Sequence, residues 1–233
     1  MDSFSVQVLF GMAKLIFLLE KPLAISYFLL INDNKCMSYF LRPLIYSAMD
    51  FLDGSDSNNT TKEGQIGENL LNNVILNYFT KRSLHYKVVK NIRIFYDQNK
   101  TTEIDVVLFT NKGIFVIENK HWNGIIKGKI DGDKWLRVQD GYRFSRIYHY
   151  PNPYKQNEFH LSIVKKLLGE EMPIFSLITF SSNNIGRTPV KNLINLIGFP
   201  SYMDNFDEGA YLADDEIDRL NDLLISHLGV AEV

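Results

Sequence analysis

The stretch EIDVVLFTNKGIFVIENKHW, Glu103 to Trp122, constrains this chain more than any other. Runs of Val, Ile, Leu and Phe flank the loop TNKG, the pattern of a β-hairpin. Strand alternation puts Glu103, Asp105, Val107 and Phe109 on one face and Ile104, Val106 and Leu108 on the other. On the second strand Ile114, Val116, Glu118 and Lys120 share a face, opposite Phe115, Ile117 and Asn119. Whether the loop is Asn111-Lys112 or Thr110 to Gly113, the pairs are the same. Phe109 meets Ile114, Val107 meets Val116, Asp105 meets Glu118, and Glu103 meets Lys120. Opposed carboxylates have Cβ atoms about 5 Å apart, and they repel by about 3 kcal/mol at an effective dielectric of roughly 20. Three arrangements relieve this: neutralisation by the nearby lysine, protonation of one acid, or a divalent cation between them, since hard cations prefer oxygen ligands. The structural alternative is a solvated Glu103–Lys120 salt bridge with the other two acids splayed into water.

Composition narrows the class. The 233 residues, 45% apolar and 22% charged, suffice for one sizeable domain with an appendage and exclude wholesale disorder. A net charge of -2 excludes a uniformly basic nucleic-acid binder. Locally, however, basic residues outnumber acids from Lys112 to Lys155, whereas Arg219 is the only basic residue from Asp204 to Asp222. A basic field around the hairpin attracts polyanions; the plainer reading is a solvated surface whose halves neutralise each other. Cys36 is the only cysteine, which excludes an internal disulfide and a Cys-based zinc site and suits a reducing cytoplasm. The motifs G-x-S-x-G, G-x-x-x-x-G-K-[ST] and H-E-x-x-H are absent.

The chain divides into four parts: an apolar, helical N-terminal segment over 1–52, a polar linker over 53–63, a main domain over 64–199, and an acidic helical extension over 200–233. Residues 4–31 hold two apolar runs broken by Glu20-Lys21-Pro22. The first is short for a membrane span and contains Lys14. Membrane association and packing on the main domain or a second copy both stay open for this segment. MDSF lacks the positive start of a secretory signal. Beyond the linker, periodicity predicts a helix from about Gln65 to Phe79 and a strand from Tyr86 to Tyr96. After the hairpin come short strands joined by the turns Asp131-Gly132 and Asp140-Gly141. Asn152 as N-cap and Pro153 at the first position open a helix that runs to about Leu168. Ile174 to Phe180 is a buried strand, and Ile217, Leu220, Leu223, Leu224 and Leu228 line one face of a closing helix. A mixed sheet flanked by helices follows.

An Asp, a hairpin and then Glu-x-Lys resemble the core signature of the PD-(D/E)XK nuclease superfamily. More specifically, the chain resembles the nuclease-related domain family. The likeness rests on IGENLL, on EIDVVLFTNKGIFVIENKHWNGII, on Trp135 and on NPYKQNEFH, and it covers about Gly64 to Phe180. Ile104 stands before Asp105 where the superfamily name has proline. The resemblance implies an α/β (α+β), restriction-endonuclease-like fold. It implies that Asp105 and Glu118 bind Mg²⁺, with Mn²⁺ as a substitute, and that Lys120 orients water or stabilises charge on the phosphate. Glu68 would be a further metal ligand or proton acceptor, and Gln156 would reach the site from the second helix, on the same face as His160. The function implied is a Mg²⁺-dependent nuclease acting on DNA in the cytoplasm, at the inner face of the membrane if residues 4–31 associate with it. The alternatives are a non-cutting nucleic-acid binder and a membrane-tethered scaffold or regulatory protein. Each residue has a plainer reading: Glu68 as a first-turn carboxylate, Gln156 as an ordinary polar helix residue, His121 as structural. Trp122, Tyr142, Phe144, Tyr148 and Tyr150 are read as core rather than base-stacking residues.

Overall fold

The computed structural model divides into Met1–Asp56 and Ser57–Val233. The described residues are 60–97, 100–122, 124–140, 145–181, 192–208 and 211–228, all in the second unit. The N-terminal segment 1–52, including 4–31, lies outside them, as do Gly141 of the second Asp-Gly turn, Tyr142 and Phe144. Among the described residues no helix is long and apolar enough to cross a membrane.

Helix α1 spans Thr60–Arg82, so it starts within the expected linker and runs past Phe79. It stops at Ser83, which takes the left-handed conformation (φ 51). The Leu84 N–H then reaches the Phe79 carbonyl and the Ser83 N–H the Thr80 carbonyl, satisfying carbonyls that the helix end would orphan. Strands β1 (Tyr86–Asp97), β2 (Lys100–Thr110) and β3 (Gly113–Lys120) form an antiparallel meander. Strands β4 (Ile125–Lys127), β5 (Lys134–Asp140) and β6 (Ser145–Pro151) make a separate three-stranded antiparallel sheet. Helix α2 (Pro153–Leu168) begins as the sequence predicts, with the Asn152 side chain accepting the Tyr154 N–H. It returns the chain to β7 (Ile174–Phe180), which pairs parallel with β3, and β8 (Leu193–Asn195) extends the large sheet in the order β1-β2-β3-β7-β8. A 3₁₀ turn (Leu196–Gly198), α3 (Phe199–Asn205) and α4 (Asp214–His227) complete the unit. This is the expected mixed α+β architecture.

Helices cover both faces of the large sheet. On one, Ile163, Val164 and Leu168 of α2 and Ile217, Leu220 and Leu224 of α4 meet Val107, Phe109, Ile114 and Val116. The acidic C-terminal helix thus turns its apolar stripe onto the sheet. On the other face, Tyr78 of α1 packs edge-on against Phe199 of α3. Lys112, in the hairpin loop, donates to the carbonyls of Met203, Asp204 and Phe206, which ties α3 to the turn.

Strand alternation breaks at one level. Ile104 and Val107 fill the same apolar cluster, although a regular strand would point them to opposite faces. Beside this level, on β1, Asn91 has φ 50, and the ladder pairs Lys90 with Val106 and then Ile92 with Ile104, skipping Asn91 and Asp105. The left-handed residue twists the two strands so that their buried side changes there. This corrects the strict two-face alternation expected over Glu103 to Phe109.

Candidate active site

The site lies where β2 and β3 part. Their pairing follows the expected register from Thr110–Gly113 to Val106–Ile117, the last of the described pairs. Instead of opposing Glu118 across a ladder, Asp105 turns its Oδ2 to accept the Asn119 backbone N–H at 2.8 Å. The expected Glu103–Lys120 pairing is also corrected. Glu103 stands opposite Arg93, 3.9 Å from its guanidinium, while Lys120 forms an ion pair with Glu118.

Helix α2 closes the site from its first two turns. Asn157 fastens it by donating to the Val116 carbonyl, the Ser176 hydroxyl and the Leu177 carbonyl at 2.9, 2.9 and 3.2 Å. One residue earlier, Gln156 Oε1 accepts a long hydrogen bond of 3.4 Å from the Lys120 ammonium. One turn later, His160 Nδ1 lies 3.4 Å from Glu118 Oε2, and its Nε2 is 3.0 Å from the Thr102 hydroxyl. The four-residue spacing of Gln156 and His160 therefore spans the Glu-x-Lys pair. The side chains of Glu118 and His160 are 1% and 2% exposed, and that of Lys120 is 20% exposed.

The electrostatics divide the two acids. Burial first, and the negative charge of Glu118 second, push the Asp105 carboxyl up to about 7. The Asn119 N–H, Lys120 and His160 work in the opposite direction. Both carboxylate oxygens of Glu118 are buried, Oε1 against the Lys120 ammonium and Oε2 near His160 Nδ1. Such oxygens are costly unless another charge completes their surroundings. Lys120 supplies part of that charge, and a hard cation would supply the rest. Asp105 and Glu118 are suitable donors for Mg²⁺, which commonly takes one or two protein carboxylates and fills its shell with water and phosphate oxygens. Among the described residues no three His, Cys, Asp or Glu side chains are grouped to hold a metal unaided.

Glu68 sits on α1 across a small cleft of about 50 Å³ whose walls include Asp105, Lys90, Asn91 and Asn119. Its Oε2 accepts a 2.9 Å hydrogen bond from the Asn91 amide. Gly67 explains how α1 comes so near the end of β3: a Cβ there would lie 2.8 Å from the His121 Cβ. His121 is itself held by Ser181 at the end of β7. Trp122 is buried and stacks on Tyr150 with ring centroids 4.3 Å apart, edge-on to Phe180, so this pair belongs to the core under the small sheet. Tyr148 lies beneath the Arg137 guanidinium, 5.4 Å from it. The sequence reading had no role for Thr102, Lys90, Asn91 or Asn119, and it noted His160 only through its spacing from Gln156. Contacts across strands carry no local signal, and that spacing was the one clue available.

Known proteins resemble the part of the chain that bears this geometry. An uncharacterized protein of Bacillus anthracis is 27% identical over 118 residues, 51% of this chain and 52% of that protein. The chain thus spans about half the length of this curated relative. No solved structure matches. The model of the nuclease-related domain matches residues 63–181, from the first helix through the end of β7, and so takes in Glu68, the hairpin and Gln156. On that match over half of its length, the chain belongs to the nuclease-related domain family.

Proposed function

We propose that the chain is a Mg²⁺-dependent nuclease that hydrolyses DNA phosphodiester bonds. The observation that carries the reading is the convergence of Asp105, Glu118 and Lys120, with both Glu118 oxygens buried, one of them against the Lys120 ammonium. Asp105 and Glu118 would hold the metal, and Mn²⁺ would serve as a substitute. When bound, it supplies Lewis-acid charge and acidifies water. Lys120, partly open to solvent, offers its ammonium to the phosphate, where negative charge grows during in-line attack. Gln156 takes an N–H of that ammonium and keeps it beside Glu118. The Asn119 N–H fixes one oxygen of Asp105. Glu68, oriented by Asn91, is the outlying acid and is suited to accept a proton through the cleft.

The depth of Glu118 favours a second reading, a nucleic-acid binder that has kept the fold without cutting. One experiment separates the two. Purified protein is incubated with linear, circular and single-stranded DNA in Mg²⁺, Mn²⁺ or EDTA, beside Asp105→Ala and Lys120→Ala. Cleavage that needs the metal and falls by about a hundredfold or more in each variant supports the nuclease. Binding without cleavage supports the second reading. Cleavage that persists in both variants rejects this site. Action in the cytoplasm, with residues 4–31 at the inner face of the membrane, accompanies the proposal; fractionation of the whole chain against a form starting at Ser57 tests it.

A further inference from the structure

Behind Glu118 stands a chain of contacts that the proposed chemistry leaves unused. The carboxylate is met at both oxygens, Oε1 by the Lys120 ammonium and Oε2 by His160 Nδ1 at 3.4 Å. The Glu118 and His160 side chains are almost wholly buried, and Nδ1 forms no hydrogen bond to any other described group. A carboxylate only accepts hydrogen bonds, so the ring suits Oε2 when Nδ1 carries the proton. In the neutral ring Nε2 is then bare and has to accept. Within reach of Nε2 is the Thr102 hydroxyl, 3.0 Å away, whose O–H can rotate to donate. The other tautomer would set the Nδ1 lone pair against Oε2 in a site closed to water, where such a clash is costly. Thr102 lies on β2 opposite Ile94, outside both the acid-bearing hairpin positions and helix α2.

We infer that Thr102 is a positioning residue: its hydroxyl donates to His160 Nε2, holds the ring as the Nδ1–H tautomer, and through the ring sets the Glu118 carboxylate for a divalent cation. This rests on the nuclease reading and deepens it. The carboxylate is then fixed from two elements, by Lys120 on its own strand and by His160 from α2. Thr102 adds β2, the strand that also carries Asp105, so one strand sets both acids. Groups that orient a metal ligand commonly change metal affinity by roughly ten- to a hundredfold when removed. Thr102 acts through an intervening ring, which puts its share near the lower figure.

The test uses the full-length protein and Thr102→Val, which keeps the branched Cβ that suits a strand and removes only the hydroxyl. Protein labelled with ¹⁵N-histidine is studied by NMR without metal in mildly alkaline solution, and the His160 signals are identified by their loss in His160→Gln. The wild type should show Nδ1 protonated and Nε2 bare. Thr102→Val should show a mixture of tautomers, and Thr102→Ser, which restores the hydroxyl, should return the wild-type pattern. Titration with Mn²⁺, followed by electron spin resonance, should find affinity about tenfold weaker in Thr102→Val and within about twofold of wild type in Thr102→Ser. In the His160→Gln background Thr102→Val should add nothing, because its effect passes through the ring. A loss that persists in that background overturns the assignment. So does a wild-type ring with a proton on Nε2, or wild-type tautomer and affinity in Thr102→Val; each leaves the nuclease reading intact. No Mn²⁺ binding by the wild type overturns both.

Discussion

With its carboxyl pushed up to about 7 by burial and by Glu118, Asp105 makes folding sensitive to pH. The folded pKa lies above the ordinary aspartate value of 3.8, so the folded state binds the proton more tightly. Its contribution to stability is complete below about pH 4 and is lost as pH rises through about 7. In metal-free protein, Asp105→Asn should therefore be more stable than wild type at pH 8 by on the order of 2 kcal/mol, with the gap closing at pH 5. Urea denaturation at the two pH values checks this, and an equal gap at both would reject it. Added Mg²⁺ should stabilise the wild type most at high pH, where cation and proton no longer compete for the carboxylate. Among single residues, order along the chain marked Asp105, Glu118, Lys120 and Gln156 as candidates, and the fold brings them together. The sequence did not reveal that His160 links Glu118 to Thr102, since those partners are brought together only by folding.

Helix α2 is anchored by one side chain that works in two directions. Asn152 Oδ1 caps the helix, and its amide donates to the carbonyls of Lys129, Ile130 and Gly132 at 3.2, 2.8 and 2.6 Å. Asn152→Ala should cost about 2–4 kcal/mol, combining a lost cap with the lost hydrogen bonds of the amide to the carbonyls of this turn. Asn152→Asp keeps the cap acceptor but sets a carboxylate against three carbonyl oxygens. It should recover little of that loss, and chemical denaturation of the pair shows whether the cap or the amide dominates. The start of α2 was legible because Asn-Pro is a local signature. The kink at Asn91 was not, since strand periodicity assumes one regular conformation and nothing in YKVVKNIRIFY marks a left-handed residue more strongly than its single Asn. The hairpin register survived because the loop fixes it, and it was lost only where the kink begins.

At the scale of the molecule, the compact unit exceeds the family match. That match stops at residue 181, while Ile217, Leu220 and Leu224 of α4 are buried in the main core. Leu220 is fully buried, so Leu220→Ala should cost about 2–5 kcal/mol by urea denaturation, and a value under about 1 would show that α4 is dispensable. The amphipathic face of this helix was readable, but its place was not, because an apolar stripe does not name the surface it covers. The parallel pairing of β3 with β7 has a consequence in time. The hairpin with its acids and amine is short-range and can close while the chain is still on the ribosome. Gln156, His160 and the strand that braces Glu118 are made later, and the helix that seals the core follows them. Synthesis order is thus a safety catch: the two acids and the amine emerge first, and the helix and strand that surround them follow.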